Sequence, residues 1–217
     1  MASGSGVVSD LEVFVFPLTR VTLFPRIAKP LSIFEPRYIK MVNDALACED
    51  GKRRIALAYA EPGLAAAAKI TGVQAHVRSV AGVGIVHLIE RRADGTMLIK
   101  LDPDGKVHLD QVIESDEPYI RAQASWIKEE TTLLPQNIFV MHRLLKALGR
   151  WLALHVPDES ARRGLMQNLN TAESRVNAIC SLMVLDSELQ QTLLELNSIN
   201  DRIQALALAI ESEGLSQ

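Results

Sequence analysis

The chain has 217 residues, of which 48% are hydrophobic and 23% are charged, so it is long enough for one large domain or two small ones around a real core. Its formal net charge of −3 gives no overall attraction to nucleic acid or to anionic membranes. The two cysteines, Cys48 and Cys180, stand far apart and no Cys/His spacing matches a metal site, so we expect no metal, no cofactor and a reducing, cytoplasmic setting.

The chain opens with MASGSG, and we expect these six small and polar residues to be a disordered leader. The start lacks the basic and apolar regions of a signal peptide. No stretch of the chain approaches the roughly 20 apolar residues that a membrane helix needs. The sequence therefore predicts no membrane partner.

Prolines interrupt the apolar stretch that follows. Pro17, Pro25 and Pro30 lack the N–H that a paired strand needs, so they favour short strands over one long one. The bulk typical of strands comes from Phe14, Phe16, Val21, Leu23 and Phe24.

A helix is predicted over residues 36–47. Pro36 suits the first helical turn, where its missing N–H costs nothing, and Glu35 puts negative charge at the positive end of the helix dipole. One apolar face is expected, made of Tyr38, Met41, Val42, Ala45 and Leu46.

Short strands with turns between them dominate the next part of the chain. After a charged turn at 49–54, residues 55–59 read as a strand, while the alanine-rich stretch Leu64 to Lys69 fits either a helical turn or a mobile excursion. Further strands are predicted at 81–92, 96–101, 107–114 and 119–127, with turns at Asp94-Gly95 and at residues 102–105. This spacing indicates an antiparallel meander or a small barrel.

From Pro135 onward the apolar period becomes helical. A helix is predicted over 136–155, with its stripe formed by Phe139, Leu144, Leu145, Leu148, Trp151 and Leu152. The expected caps of the later helices are Asp158, Thr171, Ser187 in a capping box with Gln190, and Ser198.

The change of period marks a domain boundary near residues 128–132. We expect a β-rich domain over residues 7–128 and a helical bundle over 129–217. The fold class is therefore α+β: an antiparallel β-rich lobe with one helix, followed by an α-helical bundle.

Three segments together resemble one known family. They are FPLTRVTLFP followed by LSIFEPRYIKM, the hairpin GVGIVHLIERRADGTMLIKL, and the closing LMVLDSELQQTLLELNSINDRIQAL. They resemble the LON domain, the amino-terminal substrate-binding domain of the ATP-dependent Lon protease, over residues 13 to 210. The resemblance implies a β lobe similar to PUA-type modules. One departure is Arg26, where the family commonly has glycine.

The resemblance implies a binding module, and the catalytic signatures are missing. Neither Gly51-Lys52 nor Gly105-Lys106 is followed by the Ser or Thr of a phosphate-binding loop. No G-x-S-x-G or H-E-x-x-H occurs. We therefore predict a non-enzymatic, stand-alone LON domain; a hydrolase with an unrecognised site is the unsupported alternative.

No catalytic, cofactor-binding or metal-binding residue is predicted. The family motif Phe34, Glu35, Pro36, Arg37 and Tyr38 is interpreted as structural, with Glu35 and Arg37 forming an ion pair that ties strand to helix rather than an acid/base pair. Three histidines of the strand-rich half are the only candidates for a metal: His76, His87 and His108. We expect His108 to be solvated and His87 partly packed, since no ligand spacing supports a site.

The expected partner is a polypeptide, unfolded or folded, with self-association also possible. It would bind in a cleft between the lobes or along a strand edge, although prolines can block such an edge. The alternative partner is RNA, because PUA-type modules bind RNA and the first quarter is locally basic. The basic residues are Arg20, Arg26, Lys29, Arg37, Lys40, Lys52, Arg53 and Arg54.

Overall fold

A computed structural model describes residues 11–48, 54–61 and 77–212, and for 210–212 the backbone alone. The chain divides into two compact units between Ile127 and Lys128. The expectations for the leader 1–6, for Leu64 to Lys69 and for most of the turn at 49–54 fall outside the described residues.

The first unit is a mixed six-stranded sheet with one helix. Its elements are β1 (Leu11–Leu18), β2 (Lys29–Ile33), α1 (Pro36–Ala47), β3 (Arg54–Tyr59), β4 (Val80–Arg91), β5 (Met97–Ile113) and β6 (Ile120–Trp126). The strand order is β2-β5-β4-β3-β1-β6, and β6 also pairs with β5, so five strands close into a barrel with β2 attached outside it. The predicted α+β class is confirmed.

One strand pair departs from the expected antiparallel pattern. β1 and β3 run parallel, while the other pairs are antiparallel. Parallel neighbours need a long crossover, and the chain between them supplies one through β2 and α1. A purely local meander cannot contain this pairing.

The turn predicted at residues 102–105 is wrong, because β5 continues through it. Val83 pairs with Gly105 and Gly84 with Pro103, so Asp104 is an extra residue in a β-bulge. A bulge tolerates proline and bends the strand without ending it. The Asp-Pro-Asp-Gly signal therefore marks a bend within β5.

The long bent strand β5 has different neighbours along its two halves. Its first half, Met97 to Leu101, pairs with β2 and its second half, Val107 to Ile113, pairs with β6. β4 runs along both halves on the other side. The bend therefore lets one strand both close the barrel and carry β2.

Two apolar clusters lie on opposite faces of this sheet. Small residues from all five barrel strands form the interior: Val13, Val15, Ala56, Ala58, Ala81, Val83, Val107, Ala122 and Ala124. The second cluster packs α1, through Tyr38, Met41, Val42 and Ala45, against large side chains such as Phe16 and Leu57. The predicted face of α1 is correct except for Leu46, which is exposed.

The segment between β1 and β2 packs its backbone directly on β4. A Cβ at Gly82 would lie 1.8 Å from the carbonyl oxygen of Leu23, so only glycine fits there. Leu23 and Phe24 are fully buried. Just beyond, Arg26 has φ of 68°, the left-handed region that glycine adopts without strain. This conformation explains why a glycine would suit position 26.

The second unit is helical. After a 3-10 turn at Pro135–Asn137 it contains α2 (Ile138–His155), α3 (Glu159–Asn168), α4 (Ala172–Met183), α5 (Ser187–Glu195) and α6 (Ile199–Ser212). None of the helices in the described part of the chain is long and apolar enough to cross a membrane.

Most of the predicted helix starts are confirmed. Asp158 accepts a hydrogen bond from Ser160 N, and Thr171 forms a reciprocal cap with Ser174. The cap expected at Ser187 is wrong: Asp186 caps α5 by accepting from Leu189 N.

The predicted stripe of α2 is only partly buried. Met141, Leu144, Leu148 and Leu152 are buried, whereas Phe139 is 73% exposed. Residues at i, i+3 and i+4 define a stripe without fixing which edge of it meets the core, which is why Phe139 was misplaced.

Arg202 is a fully buried arginine that joins four parts of the helical unit. Its guanidinium donates to the carboxylate of Glu129 at 2.5 Å, to Asn177 Oδ1 at 2.6 Å, and to the carbonyls of Leu193 and Leu196 at 2.8 and 2.7 Å. All three nitrogens of the planar guanidinium thus donate to an acceptor. The charge is tolerated in the core because it is paired and hydrogen-bonded.

We expect Gly82→Ala to destabilise the first unit by at least about 3 kcal/mol, because the added methyl overlaps a backbone carbonyl that is itself buried. The matched control is Gly149→Ala on α2, where a Cβ meets nothing within 4 Å and helix propensity predicts a gain of about 0.5–1 kcal/mol. Urea unfolding of both variants measures the two effects. Equal effects would contradict the close approach of Leu23.

Replacing Arg202 by methionine should lower the free energy of unfolding by about 3–5 kcal/mol, since the buried carboxylate of Glu129 would lose its ion pair with the guanidinium. Arg163→Ala, which breaks the exposed Arg163–Glu159 pair, should change stability by no more than about 0.5 kcal/mol. Thermal unfolding compares them. A small effect at Arg202 would show that the buried pair is dispensable.

Candidate functional site

The motif at residues 34–38 lies at the junction of β2 and α1. Pro36 begins the helix, and Glu35 precedes it with an extended backbone that makes no side-chain cap. Phe34 is 68% exposed, although it lies between two buried residues of the same core, Ile33 and Tyr38. The strand-to-helix turn thus presents one large apolar ring to solvent.

Glu35 and Arg37 form the predicted ion pair, with Arg37 Nε 2.9 Å from Glu35 Oε2. The pair closes within the start of the helix and does not join strand to helix, contrary to the expectation. The guanidinium also lies 4.5 Å from the ring centroid of Tyr38. Both charged side chains are about 42% exposed, so their role is local.

Tyr38 forms the buried wall behind this turn. Its ring packs on Phe16 at a centroid distance of 4.4 Å. Burial raises the pKa of its hydroxyl, with the nearby charges of Arg37 and Glu35 acting in opposite directions. Tyr38 is therefore a neutral aromatic side chain that fixes the base of the motif.

A small apolar crevice of about 70 Å³ opens beside the motif. Its walls come from the end of β1, from β2 and from the first turn of α1. They are Phe16, Leu18, Leu31, Ser32, Ile33, Phe34, Glu35 and Tyr38. The crevice and the exposed ring of Phe34 together form the motif surface.

A polar cluster connects the middle of α1 to the residues just before β6. Asp44 accepts hydrogen bonds from Tyr119 Oη at 2.7 Å and from Lys40 Nζ at 2.6 Å, and Lys40 also meets Glu117 at 2.7 Å. Burial raises the pKa of Asp44, but the hydrogen bonds from Lys40 and Tyr119 outweigh it and hold that pKa below its ordinary value. Burial and Asp44 both raise the pKa of Tyr119.

The structure does not gather the histidines. His87 lies 3.1 Å from Asp102, and His108 lies 2.9 Å from Asp110; both imidazoles are about half exposed, so His87 is less packed than expected. His76 lies outside the described residues. Within residues 11–48, 54–61 and 77–212, no three metal-ligating side chains converge.

Three of the basic residues of the first quarter are paired with carboxylates, whereas Arg20 and Arg26 are exposed. Arg37, Lys40 and Arg54 each form an ion pair with a carboxylate, those of Glu35, Asp44 and Asp104. Lys29 donates to the carbonyl of Thr22 at 3.0 Å, and burial lowers its pKa. Lys52 and Arg53 fall outside the described residues. These pairings reduce the positive field that an RNA backbone requires.

Sequence reasoning identified the motif but missed its exposed ring and the crevice. Counting Phe34 among structural residues followed from its place between strand and helix. The signal that could have found it is Ile33: in a strand, successive side chains point to opposite faces, so a buried Ile33 predicts an outward Phe34.

The comparisons with known proteins agree with these features. Residues 12–211 match the family described as the ATP-dependent protease La (LON) substrate-binding domain. Lon protease 2 of Herpetosiphon aurantiacus is 26% identical over 94% of this chain, and Lon protease 1 of Hydrogenovibrio crunogenus is 24% identical over 93% of it. The chain spans about a quarter of the length of these curated relatives, 24% of each.

Two solved structures share the fold. A Lon N-terminal domain protein from Xanthomonas campestris aligns with a TM-score of 0.63 at 16% identity. The N-terminal domain of the Mycobacterium avium complex Lon protease aligns with a TM-score of 0.67 at 13% identity. Each alignment covers 90% of this chain and 96% of the other.

Replacing Asp44 by asparagine should lower stability at neutral pH, because the amide cannot pair with Lys40 as a charge. The folded pKa of Asp44 is depressed, so its contribution is present above the unfolded pKa of about 3.9 and is lost as the pH falls through the folded value. Urea unfolding between pH 2.5 and 7 measures the free energy of unfolding of both proteins. The difference between the variant and the parent protein should become smaller as the pH falls. A pH-independent gap would contradict the pairing.

Proposed function

The chain belongs to the LON substrate-binding domain family, and from that membership we propose that it is a non-catalytic module that binds polypeptides through exposed apolar side chains. The observation that carries this proposal is the motif surface, where Phe34 is 68% exposed beside an apolar crevice. A concave apolar crevice beside an exposed ring can receive an apolar side chain of a partner.

The chemistry of the motif surface favours an apolar side chain as the bound group. Seven of the eight residues that line the crevice are uncharged, and the exception, Glu35, is neutralised by Arg37. A charged ligand group would therefore lose its hydration without gaining an ionic partner in the crevice. A partner that buried the ring of Phe34 completely would gain about 1.5–3 kcal/mol of binding free energy.

The backbone beside the crevice supports the same proposal. Within the described residues β2 pairs with β5 alone, so its other edge is available to an extended peptide. Pro30 limits this pairing, because it has no N–H to offer. We therefore assign most of the affinity to side-chain burial and little to main-chain pairing.

The cellular setting of the proposal is cytoplasmic. Cys48 and Cys180 are both free thiols, and burial raises the pKa of Cys180 to about 12, which keeps that thiol protonated and unreactive. A reducing compartment suits such residues.

Mutation of Phe34 tests the proposal. A fluorescently labelled, permanently unfolded protein should bind saturably in an anisotropy titration, and Phe34→Ser should weaken it about 5- to 10-fold, the effect of losing one partly buried ring. Phe139→Ser is the matched control, because Phe139 is 73% exposed on α2 and lies outside the motif surface. It should change the affinity less than about twofold.

Two results would decide against the proposal. Absence of saturable binding by the parent protein removes polypeptide recognition, and equal weakening by both variants removes the motif surface as its site. Parallel titration with single-stranded RNA checks the alternative partner: an RNA complex whose affinity falls steeply with salt would instead indicate phosphate contacts.

A further inference from the structure

A second cavity, of about 220 Å³ and open to solvent, lies at one end of the barrel. Its walls come from β1, from the residues just before β4, and from β5 and β6. They are Val15, Val77, Ser79, Leu109, Gln111, Val112, Ile120 and Ala122. Six of these residues are apolar, two are neutral and polar, and none is charged. The cavity shares no residue with the motif surface.

A second bulge in β5 shapes this cavity. Leu109 pairs with Ala124 and Gln111 with Gln123, so Asp110 is the extra residue. Beyond it Val112 pairs with Ala122, a member of the barrel interior, so Leu109 and Val112 share a face although they are three positions apart. The bulge thereby brings two apolar side chains to the mouth of the barrel.

The same bulge keeps its acidic residue out of the cavity wall. The Asp110 carboxylate accepts a hydrogen bond from Ser125 Oγ at 2.6 Å and lies 2.9 Å from His108 Nδ1. None of these three residues lines the cavity. The charge is satisfied elsewhere, and the wall stays neutral.

The size and lining of the cavity define what can fill it. An apolar protein cavity of roughly 150 Å³ admits a benzene molecule, so 220 Å³ has room for one ring or for two fused rings. Ser79 and Gln111 are exposed, so their polar groups are available at the mouth and not at the floor. A charged ligand would find no ionic partner among the lining residues.

We propose that the mouth of the barrel binds a small neutral aromatic compound of one or two fused rings, with one hydrogen-bonding group that meets Gln111 or Ser79. Mouths of barrels are common places for such ligands, because interior side chains supply an apolar floor beside open solvent. The proposal does not depend on polypeptide binding, since the two sites share no residue.

Amide NMR of the full chain, titrated with indole and separately with benzene, tests the proposal. Both compounds should shift the amide signals of the lining residues saturably, with a dissociation constant of roughly 1 mM, the range expected for a ligand of so few atoms. Indole should bind more tightly than benzene, because it buries more apolar area and because its N–H can donate to Gln111 or Ser79 at the mouth.

Two substitutions and a control make the test specific. Gln111→Ala, at an exposed position, should weaken the binding of indole severalfold and leave the binding of benzene unchanged. Val112→Phe should abolish the binding of both compounds, because the larger side chain fills the cavity. Ile89→Phe is the control for Val112→Phe: Ile89 is 55% exposed on β4, outside the cavity, and its replacement should leave both titrations unchanged. The proposal is overturned if neither compound shifts the lining residues at 5 mM, roughly five times the expected constant, or if Val112→Phe binds both like the parent.

Discussion

The bend of β5 at Asp104 is the constraint on which the first unit depends. Without it a strand of 17 residues would run straight and could pair with β2 or with β6, but not with both in their present places. The bend is held by close contacts: a Cβ at Gly84 would lie 2.4 Å from the carbonyl oxygen of Asp102, and Arg54 binds the Asp104 carboxylate at 2.7 Å. The motif surface follows from it, since β2, which carries that surface, is held by β5 alone among the described strands.

Sequence reasoning succeeded where a local signal and the tertiary structure agree. Helix α1 was predicted with its observed bounds, because Pro36 begins it and the apolar period of its buried face is clear. The hairpin turn at Asp94-Gly95 is confirmed, with Gly95 at φ of 84°. The change from strand period to helical period near residues 128–132 indicated the fold class, which no single element determines, and the family resemblance agreed with it.

The failures have one physical cause: the same local signal serves two structures, and long-range pairing selects between them. Asp-Pro-Asp-Gly makes a turn in an isolated hairpin, but here β4 pairs on both sides of it and turns it into a bulge. Phe139 fits a helical stripe, but the helices that pack on α2 cover a different part of its circumference. The sequence could not predict the crevice or the barrel cavity for a related reason: each is lined by residues that are far apart in the sequence and come from separate strands.

The pairing of β1 with β6 has a consequence for how the chain is made. Glu12 accepts two hydrogen bonds from Arg121, a residue 109 positions later. The first strand of the barrel therefore lacks this second neighbour, β6, until the last strand has been synthesised. Until then the apolar face of Phe14 and Phe16 has no complete core to enter. At ordinary elongation rates a nascent chain in this state exposes apolar strands with unpaired edges for many seconds. During its synthesis on the ribosome the chain would thus display the kind of apolar surface that chaperones bind.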